Sequence, residues 1–297
     1  MAKNKVYSMT RMDRRLGIAL IVPIFVVIFI VMGVPFVRAV YLSFTNKVIG
    51  KQENFVGLAN YAKLFASATY WKVLKNTVVY TLGSVGTKLL LGMILALVLN
   101  QNFRGRAFFR TVLLIPWALP GMVAAMTWRW MYDSTYGILN SLLLRMDIID
   151  LPIAWLSNPK LTLITVMIVN IWRGVPFFIF SLLGALQTLD GQMYEAAYID
   201  GAGPVRQYFS ITLPSIANVT KVTTLLSTIW TFNDFENIQL VTGGGPLYSS
   251  SVISTYTYDQ AFIQNSFGSA LSVAVSVVPI LLIFMFFASR GREEQSV

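Results

Sequence analysis

Six stretches of this chain stay apolar for about twenty residues, the length that a helix rising about 1.5 Å per residue needs to cross a hydrocarbon core about 30 Å thick. They lie near residues 18–37, 78–99, 111–131, 161–186, 220–241 and 267–288. Lipid offers no partner to backbone N–H and C=O groups, so a spanning segment must satisfy them within itself or close into a barrel. The runs are continuous rather than alternating, which favours helices over a barrel. Composition points the same way: 56% of the 297 residues are hydrophobic, 12% are charged, and the mean hydropathy is +0.64. A soluble globule carries about 25% charged residues. The expected fold is all-α, a polytopic membrane protein with six transmembrane helices in one domain over residues 1–297, without a soluble domain, linker or internal repeat.

Charge and residue inventory exclude several function classes. The net charge of +10 is spread along the loops between the apolar stretches and forms no concentrated basic face, so no nucleic-acid partner is expected. Lys3, Lys5, Arg11, Arg14 and Arg15 precede the first stretch as they would in a secretion signal. That stretch is too long for one and lacks a small-residue cleavage site, so it reads as a retained anchor. The chain has no cysteine and no histidine, hence no disulfide framework and no thiolate or imidazole metal site. Asp234 and Glu236 are two residues apart and diverge on a helix, which makes them a poor acid–base pair. Gly86-Thr87-Lys88 resembles the end of a phosphate loop, but the earlier glycine and the preceding strand are missing. Neither catalysis nor a cofactor bound by this chain is expected.

Five basic residues before the first stretch, and Arg104, Arg106 and Arg110 after the second, favour a cytoplasmic position for both segments. Lys47, Lys51, Lys63, Lys72 and Lys75, in the outer loop over 41–76, weaken the contrast. The same loop holds an expected amphipathic helix near 58–74, with Tyr61, Leu64, Phe65 and Trp71 on or near one side. It serves either as a docking surface for an external binding protein or as an interfacial anchor with its aromatic rings at headgroup level.

A polar loop over 190–214 separates the fourth and fifth stretches. Asp190 can cap a short helix through Met193, Tyr194, Glu195 and Ala196, Gly201 can end it in a left-handed conformation, and Pro204 suits the first turn of a second helix. Small residues at Ala196, Ala197 and Gly201 let another surface approach the backbone, which suits docking into a cleft. An amphipathic connector lying on the membrane is the alternative. The order is Glu195-Ala196-Ala197, three residues, Gly201, nine residues, Ile211-Thr212-Leu213-Pro214. Here the chain closely resembles the membrane permeases of type I ATP-binding-cassette importers, the binding-protein-dependent transport inner-membrane components, whose EAA loop reads E-A-A-x3-G-x9-I-x-L-P. Residues 41–45 (Tyr-Leu-Ser-Phe-Thr), 55–61 (Phe-Val-Gly-Leu-Ala-Asn-Tyr) and Asn76-Thr77 are similar to sugar-uptake permeases. So is Thr242-Gly243-Gly244-Gly245-Pro246, which in that family marks the subunit similar to the first maltose-type permease. The likeness covers nearly the whole chain.

The resemblance implies a membrane-spanning subunit of an ATP-driven importer for carbohydrate, an oligosaccharide, forming half of the translocation path. It implies a cytoplasmic coupling loop in which Glu195, Ala196, Ala197, Asp200, Gly201 and Pro214 meet an ATPase. The implied partners are a second permease subunit, two ATPase subunits that carry ATP and Mg, an extracytoplasmic substrate-binding protein, and the lipid of a bacterial inner membrane with both termini on the cytoplasmic side. The competing class is an ion-gradient-driven secondary transporter. Asp234 supplies the intramembrane carboxylate such a transporter wants, but the docking loop has no use in it.

Polar residues inside apolar spans are expected to face a cavity or a partner helix. Asn170, Gly174, Phe177 and Ser181 fall on one face of the fourth span, and Ser227, Trp230, Asp234 and Asn237 on one face of the fifth. Each stripe combines an aromatic surface for the CH face of a sugar with polar groups for its hydroxyls, and helix–helix contact is the bland alternative. Asn170, Gly174, Phe177, Trp230 and Asp234 are the expected substrate-path residues. Of the basic residues in spans, Arg129 lies near a helix end, where it can snorkel. Lys88 sits mid-span and requires a partner, with Asp234 or Glu236 the candidates. Alternatively, Lys88 and Arg173 make the path attractive to an acidic glycan.

Overall fold

A computed structural model describes residues 11–290. Lys3, Lys5 and the tail over 291–297, on which the expected cytoplasmic termini rest, lie outside the described residues. The described residues are mainly helical, and among them the only strand-like pairings are two isolated bridges, Thr45 with Phe55 and Val48 with Ser266.

Helix α1 (Arg11–Ile28) passes through a π-helical turn (Phe29–Gly33) into α2 (Val34–Ser43). The large apolar side chains from Ile18 to Val37 are exposed, and α2 packs against the later helix over 267–276. The fastening uses the short motifs of the outer loop. Asn60 donates to the carbonyls of Ser43 and Thr45, both at 2.8 Å, Tyr61 pairs with Ser43 at 2.7 Å, and Gly268 approaches Thr45 so closely that a Cβ would lie 2.0 Å from its carbonyl oxygen. Beyond this knot Lys47 and Arg38 bind Glu53, and the Lys47 hydrogen bond is the main reason its carboxyl titrates at about 2.

The amphipathic helix expected over 58–74 is divided. Helix α3 (Ala59–Ala66) stops at Ser67, which turns extended and caps α4 (Ala68–Asn100) by accepting from the Tyr70 amide at 3.4 Å. A serine that bonds its own backbone offers an alternative to helix continuation, and it prevails here. Helix α4 is about 50 Å long at the usual rise, so it extends past the hydrocarbon core at both ends. It runs beside α8 (Thr162–Leu186), with small residues letting the two approach: a Cβ on Gly92 would stand 2.4 Å from Phe178 Cβ, and one on Gly83 2.4 Å from Met167 Cε.

Three of the expected spans are interrupted. The third is α5 (Arg106–Ala118) and α6 (Gly121–Met131), bent by 95°. Leu119, the residue before Pro120, is extended at φ −74°, ψ 136°, because the proline ring disfavours the helical region there. After α7 (Ile138–Arg145) and α8 comes the 190–214 loop, built from α9 (Gly191–Ile199), α10 (Pro204–Gln207), a π-helical turn (Tyr208–Thr212) and α11 (Leu213–Ser215). The fifth stretch is α12 (Ala217–Phe232), an open turn over 233–235, and α13 (Glu236–Val241). Following α14 (Ile253–Tyr258) and a further π-helical turn (Asp259–Ile263), the sixth is α15 (Phe267–Ser276) and α16 (Val278–Arg290), divided at Val277 two residues before Pro279. By length and composition three helices can cross a membrane, Ile18–Ser43, Ala68–Asn100 and Thr162–Leu186, and the bent pair makes four if it is one span.

Asn76 and Thr77 secure the segment after α13. The Asn76 amide donates to the carbonyls of Tyr248, Ser249 and Ser251 at 3.0, 3.2 and 3.1 Å, and Thr77 Oγ1 accepts from the Ile253 amide at 3.0 Å. The Thr242–Pro246 motif closes the other side of the same loop, with Thr242 and Ser250 hydroxyls 2.8 Å apart.

Candidate functional site

Between α4, α6, α8 and α12 lies a cavity of about 260 Å³. All five residues expected on a substrate path line it: Asn170, Gly174, Phe177, Trp230 and Asp234, together with Lys88, Arg173, Ser227 and Asn237. Ser181 does not; it lines a neighbouring recess with Leu114 and Phe180. Phe177 and Trp230 face each other across two helices with ring centroids 5.0 Å apart, and Trp230 remains 56% exposed.

Lys88 is only 3% exposed, yet it makes neither of the ion pairs expected of it. Its Nζ donates to Asn170 Oδ1 at 2.9 Å and to Thr231 Oγ1 at 2.8 Å. The other end of the Asn170 amide donates to Asp234 Oδ2 at 2.8 Å, so one side chain separates the ammonium from the carboxylate while bonding both. Asp234 also accepts from the Tyr80 hydroxyl at 2.5 Å, and Asn237 Nδ2 donates to that hydroxyl at 2.9 Å. The polar chain thus joins α4, α8, α12 and α13. Gly174 makes room for it, since a Cβ there would stand 2.5 Å from Lys88 Cδ.

Glu236 pairs with Arg173 instead, at 3.9 Å with both side chains partly exposed. The turn over 233–235 redirects the chain, and Gly121 at the start of α6 leaves the space: a Cβ there would meet Glu236 Oε2 at 2.2 Å. Arg129 donates to the Leu240 carbonyl at 3.3 Å. Sequence reasoning missed Tyr80, Thr231, Trp117 and Gly121. A signal for the first was present: Tyr80, Ser84 and Lys88 are spaced four apart, on one buried face of α4.

The 190–214 loop is an exposed elbow. Asp190 caps α9, its Oδ1 accepting from the Gln192 amide at 2.9 Å. At the other end the Ala202 amide donates to Ala197 O at 2.8 Å and the Gly201 amide to Tyr198 O at 3.0 Å. That bond pair is a Schellman motif, which needs a left-handed residue at Gly201, and its φ is +78°. Tyr194 ties α9 back to Thr212 at 2.9 Å. Glu195, Ala196, Asp200, Gly201 and Pro214 are exposed and Ala197 is half-buried. Glu195 has no ion pair among the described residues. Tyr198 and Ile199, on the same elbow, are 77% and 84% exposed.

Comparison with known proteins places these features in a family. Residues 88–290 match the family described as binding-protein-dependent transport system inner membrane component. The trehalose/maltose transport system permease protein MalF of Thermococcus litoralis is 32% identical over 98% of this chain and 99% of its own. The sulfoquinovosyl glycerol transport system permease protein SmoG of Agrobacterium fabrum is 33% identical over 89% and 86%. In fold, the chain is similar to a bacterial ABC transporter involved in the import of the acidic polysaccharide alginate, with a TM-score of 0.81 at 22% identity over 95% of this chain and 96% of the other. A second alginate transporter structure, in complex with an alginate pentasaccharide-bound periplasmic protein, gives 0.80 at 21% identity over 94% of both chains. The match spans two thirds of the sequence, from Lys88 within α4 through α6, α8, the elbow and α12, and the chain belongs to the binding-protein-dependent transport system inner membrane components.

Proposed function

We propose that this chain is the permease subunit of an ATP-driven carbohydrate importer, crossing the membrane six times, with α5–α6, α12–α13 and α15–α16 each forming one interrupted span. The observation that carries the reading is the cavity. Phe177 and Trp230 present ring faces beside amide, hydroxyl and carboxylate groups, the combination that covers the CH surface of a sugar and bonds its hydroxyls. At about 260 Å³ it falls just short of the roughly 300–1,000 Å³ of a complete small-molecule site, which suits one wall of a path shared with a second permease. Both relatives named above carry glycosides according to their names, which supports a carbohydrate. The charges near the cavity balance: Lys88 against Asp234 through Asn170, and Arg173 against Glu236. A neutral oligosaccharide is therefore favoured over an acidic one.

The elbow over 190–214 is the coupling element. Exposed Glu195, Asp200 and Pro214, the small Ala196, Ala197 and Gly201, and the uncovered Tyr198 and Ile199 suit insertion into a cleft on an ATPase subunit that binds ATP and Mg. Closure of an ATPase pair moves the path only if it favours one permease state over another, and a rigid capped elbow transmits that preference. A substrate-binding protein delivers solute at the opposite face. The ion-gradient alternative gains no support, since its carboxylate Asp234 already accepts three hydrogen bonds, from Tyr80, Asn170 and the Asn237 amide.

The test is reconstitution with the cognate ATPase and binding protein in proteoliposomes. Uptake of neutral oligosaccharide should require ATP, and Trp230→Ala should lower it by about tenfold, the order expected for losing one aromatic contact, with basal ATP hydrolysis unchanged. Uptake driven by an ion gradient without ATP would sink the reading.

A further inference from the structure

The α4–α5 elbow over 101–110 carries an unassigned cluster of charge and aromatic surface. Arg104, Arg106 and Arg110 fall within seven residues, while no Asp or Glu occurs between Glu53 and Asp133. None of the three forms an ion pair among the described residues. Arg106 donates to Asn102 at 3.2 Å and Arg110 to the Leu99 carbonyl at 3.2 Å, which leaves the Arg110 Nε buried without a partner, and Arg104 is exposed. Phe103, Phe108 and Phe109 form a ring cluster with centroids 6.1 and 5.8 Å apart, and Phe108 is 67% exposed. Leu113 of α5 packs against the core, while Phe108, Val112 and Ile115, on one face of the helix, stay exposed and continue outward from the cluster.

We infer that this elbow binds an anionic phospholipid, with its phosphodiester held by the Arg104 and Arg106 guanidiniums and its acyl chains lying along the exposed face of α5. Charge complementarity selects the ligand. Guanidinium forks match phosphate oxygens, and among the described residues no carboxylate pairs with them. Position selects a lipid over a soluble anion. Leu99 shares a core cluster with Leu186 and Ile216, which places the elbow at the same end of the bundle as the 190–214 loop, where a helix longer than the hydrocarbon core emerges at headgroup level. Phenylalanines beside the arginines then sit at the boundary between headgroup and acyl chain.

The experiment uses the full chain in detergent and native mass spectrometry, comparing retained phosphatidylglycerol with phosphatidylcholine of the same acyl length. The native chain should prefer phosphatidylglycerol, and Arg104→Gln/Arg106→Gln should cut its occupancy by roughly tenfold or more, leaving phosphatidylcholine unchanged. Arg104→Lys/Arg106→Lys should retain part of the preference, and Lys51→Gln in the outer loop all of it. Circular dichroism of the variants checks that the helices persist. Equal retention of phosphatidylglycerol by the native and glutamine chains overturns the inference, as does parallel loss of both lipids. Unchanged lipid retention with lost ATPase co-purification would assign the elbow to a protein partner and equally overturn it. No step involves transport, so failure here leaves the importer reading untouched.

Discussion

Lys88 shows how a single buried charge organises a cavity wall. An unpaired ammonium at mid-span costs about 2.5–3.5 kcal/mol on insertion scales, and direct contact with a carboxylate is the obvious remedy. The structure uses an amide instead, because Asn170 offers an acceptor to Lys88 and a donor to Asp234 at once. The lysine stem reaches that position only by crossing Gly174. Gly174→Ala should therefore destabilise the chain by about 1–3 kcal/mol through overcrowding. In a Lys88→Ala background, where the crossing stem is gone, the same change should cost far less. A thermal-unfolding double-mutant cycle in detergent reads this coupling, and strictly additive effects would show that Lys88 does not lie over Gly174 as described.

Among the elements, the regular helix α8 was legible and the interrupted ones were not. Asn170, Gly174 and Phe177 share the face that their spacing predicts, since α8 stays helical across them even at Pro176. Asp234 and Asn237 also reach the cavity, but through an open turn and a new helix, where the period assumed for the fifth span no longer applies. The 95° bend of the third span had its signal in Leu119-Pro120, hidden by continuous hydropathy. Tyr80 escaped notice because a tyrosine in an apolar run reads as core, and only its spacing from Lys88 marks it as polar. The α9 elbow was readable because capping is local chemistry. Its Schellman geometry yields a sharp expectation. A Cβ at Gly201 meets no atom within 4 Å, so the penalty of substitution lies wholly in φ, about 1–2 kcal/mol for a residue with a side chain. Gly201→Val should leave the helices folded but abolish most stimulation of ATP hydrolysis by loaded binding protein, and Gly201→Asn, which tolerates the left-handed region, should retain more. Equal stimulation in all three chains would remove the elbow from the coupling route.

At the scale of the whole molecule, the path of the chain through the membrane turns on the bent pair α5–α6. Helices α4 and α8 run in the same direction, as the pairings Gly83 with Met167, Lys88 with Gly174 and Gly92 with Phe178 show. Two parallel spans must begin on the same side, so the segment between them has to return across the bilayer. If α5–α6 is a bent but complete span, residues 132–160 lie outside and the 101–110 and 190–214 elbows lie together inside. A re-entrant pair would strand residues 132–160 on the inside and force α8 to run against α4, contrary to the pairings. The absence of cysteine makes the question accessible by single substitutions at exposed sites. Thr135→Cys and Leu247→Cys should react with a membrane-impermeant maleimide in intact cells or right-side-out vesicles. Gln101→Cys and Gln192→Cys should react only after permeabilisation. Labelling of Thr135→Cys only after permeabilisation would refute the six-span path and, with it, the cytoplasmic position of the coupling elbow.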